Sequence, residues 1–348
     1  MKALNLHGVG DLRFEEVPTP VAKEGEVLLK IKACGICGSD IPRVMTKGTY
    51  HFPTIPGHEF AGQIVEVGKG CDAALVGRRA TVFPLLPCRS CDMCEVGAYA
   101  QCRNYNYFGS RCDGGFAEYI AVPVWNLVLA SDNVDYRELA MAEPCSVALH
   151  TLRQAGIVVG DTVCIFGAGP IGIMLAKWSH AWGAAKAILV DVDAKKCDFA
   201  RSLGFSHVFC GGTKDAVEYV NAVTNGKGAD VVVEGAGVSA SFEAVMFAAK
   251  YFGKVVLMGN PSKEMVLSQQ GYWQIMRKQL QLFGTWNSGF GSDGGDWKLT
   301  VEAMESGKLD LLPLITHCYH LEDGLRPFEM ITSKKEFFNK VMYVMEEK

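Results

Sequence analysis

The chain has 348 residues, more than one typical core accommodates, so two domains are expected. With 34 Lys and Arg against 38 Asp and Glu, its formal net charge is -4, which gives no electrostatic footprint for nucleic acid or an anionic membrane surface. No apolar run has spanning length, and the opening stretch MKALNLHGVGDLRFEE lacks the uninterrupted apolar segment of a secretory signal, so the expectation is no membrane association and a cytoplasmic setting, where the 13 cysteines read as metal ligands sooner than as disulfides.

In chain order, residues 1–147 read as a β-rich domain. Glu26 to Ala33 and Gly62 to Val67 alternate like half-buried strands, and Gly77 to Phe83 and Phe116 to Val122 add two more between Gly- and Pro-rich turns. Many short strands and few helical periods suggest a small barrel-like fold. Two sets of metal-binding residue types lie here. Cys88, Cys91, Cys94 and Cys102 follow C-x2-C-x2-C-x7-C, a spacing that can close a tetrahedral, structural zinc site around a loop with little apolar content of its own. The second set is dispersed: Cys37 in CGICGSD, His58-Glu59 in PGHEF and Glu143 in AEPCS. A thiolate, an imidazole and carboxylates with one open place are the ligand types of catalytic zinc. Spacing alone does not bring these residues together; taken singly, His58 reads as a packed histidine and Glu143 as a surface acid.

Residues 148–286 alternate β and α. Thr162 to Phe166 is a strand, Gly167-Ala168-Gly169-Pro170-Ile171-Gly172 fits G-x-G-x-x-G, Ile173 to Trp182 is helical, and Ala187 to Val190 leads to Asp191, 19 residues after Gly172. In a dinucleotide site Gly167 permits the turn, Gly169 lets backbone approach the pyrophosphate, Gly172 lets helix and strand pack, and the helix N-terminus faces the phosphates. Asp191 would accept the ribose hydroxyls and repel a 2′-phosphate, which selects NAD over NADP. Lys195 and Lys196 begin the next helix, with Lys196 counted beside Asp191 in the cofactor site. Strands at His207–Cys210, Asp230–Gly235, Lys254–Gly259 and Leu280–Thr285 complete six, with helices such as Lys195–Leu203 and Ser241–Lys250 between them: a doubly wound, parallel α/β sheet. Over 287–348 a glycine-rich GFGSDGG loop precedes the helical WKLTVEAMESG, a short strand and a further helix.

The stretch GHEFAGQIVEVGKGC, together with CGICGSD, the cysteine lobe, the AEP segment and GAGPIG in that order, resembles the zinc-containing medium-chain alcohol and polyol dehydrogenases over essentially the whole chain. The resemblance implies a GroES-like catalytic domain (1–147), a Rossmann coenzyme domain (148–286), a return to the catalytic domain (287–348), and an active site in the cleft between them. It implies two zinc ions per chain and NAD. Cys37 and His58 would bind the catalytic zinc, with Glu59 and Glu143 sharing the remaining positions directly or through water. Zinc would lower the pKa of a substrate hydroxyl, and Ser39 would pass the proton on. Many relatives place a histidine three residues after that serine; here Pro42 stands there, and Glu143 is expected to take over the outer step. Within the family, CGSDIPR, LLPC and FGSRCDGGFAEYI look most like the galactitol-1-phosphate 5-dehydrogenases, which makes the expected substrate a small polyol phosphate with Arg43, Lys47 and Arg111 as candidate phosphate contacts. Sorbitol (L-iditol) 2-dehydrogenases acting on free polyols are the alternative, and threonine 3-dehydrogenases come third. A non-catalytic sensor is disfavoured because Cys37 and His58 are both present. A homodimer or homotetramer is expected, paired through the edge strand Leu280–Thr285.

Overall fold

The computed structural model describes residues 1–291 and 294–345, so Ser292 and Asp293 of the GFGSDGG loop lie outside the described residues. The chain divides into two compact units, Met1–Ser146 with Gly289–Lys348, and Val147–Ser288. No helix among the described residues is long and apolar enough to cross a membrane.

The second unit is one six-stranded sheet in which every neighbouring pair is parallel. Its spatial order is His207–Cys210, Lys186–Asp191, Thr162–Phe166, Ala229–Glu234, Ala249–Leu257, Gln281–Gly284. In order along the chain this is 3-2-1-4-5-6, so the direction of winding reverses between Thr162–Phe166 and Ala229–Glu234, where such sheets bind ligands at the C-terminal strand ends. Val163, Cys164 and Ile165 are fully buried, as are Val231, Val232 and Val233. Continuous apolar runs suit central parallel strands covered on both faces.

The first unit is built on a seven-stranded sheet. Along it run Ile315–Tyr319, Lys340–Val344, Glu26–Gly35, Glu59–Val67, Arg79–Val82 and Leu127–Ala130, and Tyr119–Pro123 also pairs with Glu26–Gly35. All pairs are antiparallel except Ile315–Tyr319 with Lys340–Val344. The core gathers Leu29, Ile31, Phe60, Ile64, Phe116 and Tyr343, and each of the first five is worth about 1.5–3 kcal/mol if fully buried from water.

Several elements differ from the sequence expectations. Lys2–Gly8 and Asp11–Glu16 form an antiparallel hairpin where polar residues obscure alternation. The strand expected from Gly62 begins at Glu59, and the one expected from Lys254 begins at Ala249. Lys340–Val344, buried along its length, lacks the period-2 pattern and was not anticipated.

Candidate active site

Three strand ends meet in the first unit. Gly35 lies opposite Glu59 on one side and Met342 on the other. The chain therefore delivers Cys37 just past one strand, His58 and Glu59 at the start of the next, and Lys340 at the start of the third. The ligand atoms of Cys37, His58 and Glu59 lie within 4.8 Å of one another. Asp40, fully buried, accepts the Cys37 backbone N–H at 3.0 Å. Its other oxygen stands 3.4 Å from His58 Nδ1, close enough for charge attraction but not aligned for a hydrogen bond, so that this buried nitrogen has no hydrogen-bond partner. Burial opposes a charged His58, yet the Asp40 carboxylate and Cys37 raise its pKa well above the usual histidine range. A sulfur, a nitrogen and an oxygen donor converging around an unsatisfied imidazole fit a zinc site with an open position.

In the cysteine lobe, Cys88 Sγ lies 4.0 Å from Cys94 Sγ, Cys91 Sγ lies 3.6 Å from Cys94 Sγ, and Cys91 and Cys102 sulfurs are 3.9 Å apart. Zn–S bonds of about 2.3 Å in a tetrahedron require sulfur–sulfur edges of about 3.8 Å, so the four thiols already sit at ligand spacing. None of them is in a disulfide. Arg89 stacks over Trp125 at 4.1 Å, and Tyr99 meets the same ring edge-on, which ties the lobe to the aromatic cluster of Phe83, Phe290 and Trp297.

In the second unit the glycine turn follows the Thr162–Phe166 strand, and the helix begins at Pro170, three residues before the sequence suggested. Pro170, Ile171 and Gly172 thus form its first turn, where proline's missing N–H is harmless. Gly167 has φ +118°, and a Cβ on Gly172 would sit 1.9 Å from Gly167 O; both positions require glycine. Asp191 closes the next strand. Its Oδ2 accepts the Ala168 N–H at 2.8 Å and lies 3.7 Å from Lys196 Nζ, and its Oδ1 accepts the Asp193 N–H at 3.0 Å. A carboxylate offers about four lone-pair sites, so roughly half remain for a ribose.

Residues 23–132 match the alcohol dehydrogenase GroES-like domain, and residues 170–306 match the zinc-binding dehydrogenase domain. Galactitol 1-phosphate 5-dehydrogenase of Escherichia coli (strain K12) is 33% identical over 310 residues, covering 88% of this chain and 90% of that protein. The chain belongs to the zinc-type alcohol and polyol dehydrogenases. Sorbitol dehydrogenase of Bacillus subtilis (strain 168) is 31% identical over 348 residues, 98% of this chain and 96% of that one. The crystal structure of galactitol-1-phosphate dehydrogenase from Escherichia coli superposes with a TM-score of 0.92 at 31% identity, covering 99% of this chain and 100% of that one.

Around the metal cluster of this zinc-type dehydrogenase, three expected site residues have partners that the sequence analysis did not name. Glu143 is buried nearby but is not part of the mutually close set; its Oε1 accepts a hydrogen bond from Tyr107 Oη at 3.2 Å. Burial pushes the Glu143 carboxyl up to about 7, against the opposing pull of His58 and with help from Glu59. Tyr107 also meets the His58 ring edge-on at 5.7 Å. Arg43 does not present an unpaired charge: its Nη1 donates to Ser39 Oγ at 3.0 Å and to buried Asp40 at 3.1 Å. Glu59 is shared with a residue the sequence did not suggest, because the Lys340 ammonium bonds its Oε2 directly in a buried ion pair. Asp40 could have been suspected from its place in CGICGSD. Lys340 and Tyr107 carry no local signal.

Proposed function

We propose that this zinc-type dehydrogenase oxidises a secondary hydroxyl of a linear polyol phosphate to the ketose phosphate, with NAD as acceptor. The carrying observation is the Cys37, His58, Glu59 donor set with Ser39 two residues from Cys37. When bound, zinc supplies Lewis-acid polarisation of the substrate hydroxyl and the nicotinamide takes the hydride. Cys37, His58 and Glu59 would hold the metal, with the Asp40 carboxylate 3.4 Å from His58 Nδ1 and Lys340 balancing Glu59. Ser39 Oγ receives an Arg43 N–H at one lone pair; its second lone pair can take the substrate proton while its own O–H passes one onward. Glu143, a buried acid beside the cluster that accepts a hydrogen bond from Tyr107, is suited to hold that proton where Pro42 replaces a titratable side chain. Cys88, Cys91, Cys94 and Cys102 hold a second, structural zinc.

Gly167, Gly169, Pro170, Ile171 and Gly172 with Asp191 form the cofactor site, and the charge of Asp191 favours NAD. The phosphate preference is supported by the resemblance to the galactitol 1-phosphate enzyme. Two copies pair through the exposed Gln281–Gly284 edge. The test is a panel of polyols and polyol phosphates with NAD and with NADP, following reduced nicotinamide by absorbance. Free sorbitol turned over as efficiently as any polyol phosphate replaces this reading with a sorbitol-type one.

A further inference from the structure

Among the arginines near the metal cluster, Arg43 is neutralised by Asp40, whereas Arg111 is held in the opposite way. Its guanidinium carbon lies 4.3 Å from the centre of the Tyr50 ring and 4.4 Å from that of Tyr105, so it packs against two aromatic rings. Nη1 donates to Tyr105 O at 3.4 Å and Nη2 to Tyr50 Oη at 3.3 Å. No carboxylate pairs with it among the described residues. The nearest acid in sequence, Asp113, spends its Oδ1 on the Ile55 N–H at 2.9 Å. A guanidinium has five N–H donors in a planar fork, so about three remain beyond the two bonds to Tyr105 and Tyr50.

The clamp is fixed relative to the metal ligands. The segment carrying Arg111 is laced to the residues just before His58: Gly114 N–H bonds Ile55 O at 2.7 Å, Gly115 N–H bonds Gly57 O at 2.8 Å, and Phe116 N–H bonds Pro56 O at 3.0 Å. His51 Nε2 lies 3.2 Å from Arg111 O. Ring contacts also run from the clamp to the cluster, with Tyr105 edge-on to Tyr107 at 6.3 Å and Tyr107 edge-on to His58 at 5.7 Å. Tyr50, meanwhile, is 70% exposed. A large ring kept in water against a guanidinium fixes that cation in place without burying it, which removes much of the ordering cost of binding.

We infer that Arg111, held by Tyr50 and Tyr105, is the subsite for the phosphate of the polyol phosphate, at the end of the substrate remote from the reacting carbon. The inference rests on the polyol-phosphate reading above and replaces Arg43 as the phosphate contact. A planar fork with no internal anion matches a phosphate bidentately.

The experiment compares galactitol 1-phosphate with galactitol as substrates of the zinc- and NAD-loaded enzyme, in the wild type and in Arg111→Ala, Arg111→Lys and Tyr50→Leu, with folding checked by circular dichroism and phosphate-ester binding read directly by calorimetry. In Arg111→Ala the ratio of kcat/KM for the phosphate ester to that for the free polyol is expected to fall about 30-fold or more, through KM rather than kcat. Arg111→Lys keeps charge but not the fork and should lose an intermediate amount, and Tyr50→Leu should lose a few-fold. A wild type that prefers the phosphate ester while all three variants keep that preference overturns the Arg111 subsite and leaves the function standing. A wild type indifferent to the phosphate overturns the polyol-phosphate reading itself. Should Arg111→Ala fail to fold, Arg111→Lys and Tyr50→Leu decide the same question, because one retains the long cationic stem and the other alters an exposed ring.

Discussion

Replacing Asp191 with asparagine tests the cofactor site at one atom. The carboxylate is only 10% exposed and divides its oxygens between two backbone donors, Ala168 N–H at 2.8 Å and Asp193 N–H at 3.0 Å. An amide has a single oxygen, so one of these two N–H groups would face an NH2, at a cost of about 1–3 kcal/mol. The lone pairs available to a ribose would also lose their charge, and hydrogen bonds to a charged acceptor are worth about 1.5–3 kcal/mol. NAD affinity is therefore expected to fall roughly 10- to 150-fold. NADP should move the other way, because Lys196 Nζ, 3.7 Å from the carboxylate, would be released to pair with a 2′-phosphate. Fluorescence titrations with NADH and NADPH measure both effects, and adding Lys196→Ala to Asp191→Asn should abolish the NADP gain. An unchanged ratio of the two affinities in Asp191→Asn would refute the reasoning.

Elemental analysis of freshly purified protein should give two zinc ions per chain; full activity with one or none contradicts the two-site assignment. Cys37→Ser should abolish turnover at a nearly unchanged melting temperature, whereas Cys94→Ser, at a buried thiol of the lobe, should lower it, and equal melting of Cys94→Ser and wild type removes the structural role. In the zinc-free protein, Lys340→Met should leave the Glu59 carboxylate buried without its partner and destabilise by about 3–5 kcal/mol, which for a domain of this size is a drop of roughly 6–20 °C in Tm. The double variant Lys340→Met/Glu59→Gln should recover most of that loss in thermal denaturation, and a single variant as stable as wild type shows that the pair does not balance Glu59.

What could be read from the sequence follows from how local each signal is. The parallel sheet was legible because central strands such as Thr162–Phe166 are apolar on both faces and are punctuated by glycine turns with strict steric needs, as at Gly172. The ligand types at Cys37, His58 and Glu59 were legible from local motifs, whereas their convergence depends on the register that sets Gly35 opposite Glu59. Arg43 misled because a cation next to a catalytic motif looks available until Asp40 is seen to occupy it. Tyr107 and Lys340 could not be read at all: Lys340 meets its partner 281 positions away in sequence, and nothing near it distinguishes it from a solvated lysine.

The Glu59–Lys340 pair also sets an order on biosynthesis. A ribosome releases Glu59 first, the whole parallel-sheet unit follows, and the lysine that balances Glu59 arrives only after that unit. The nascent first unit must hold a buried-to-be carboxylate, and an open edge on the Glu26–Gly35 strand where Lys340–Val344 will pair, while the intervening unit is synthesised and folds by itself. The strand that closes that edge also carries the lysine that neutralises that charge, so the metal-binding cluster reaches its final electrostatic state only after the whole intervening unit has been made.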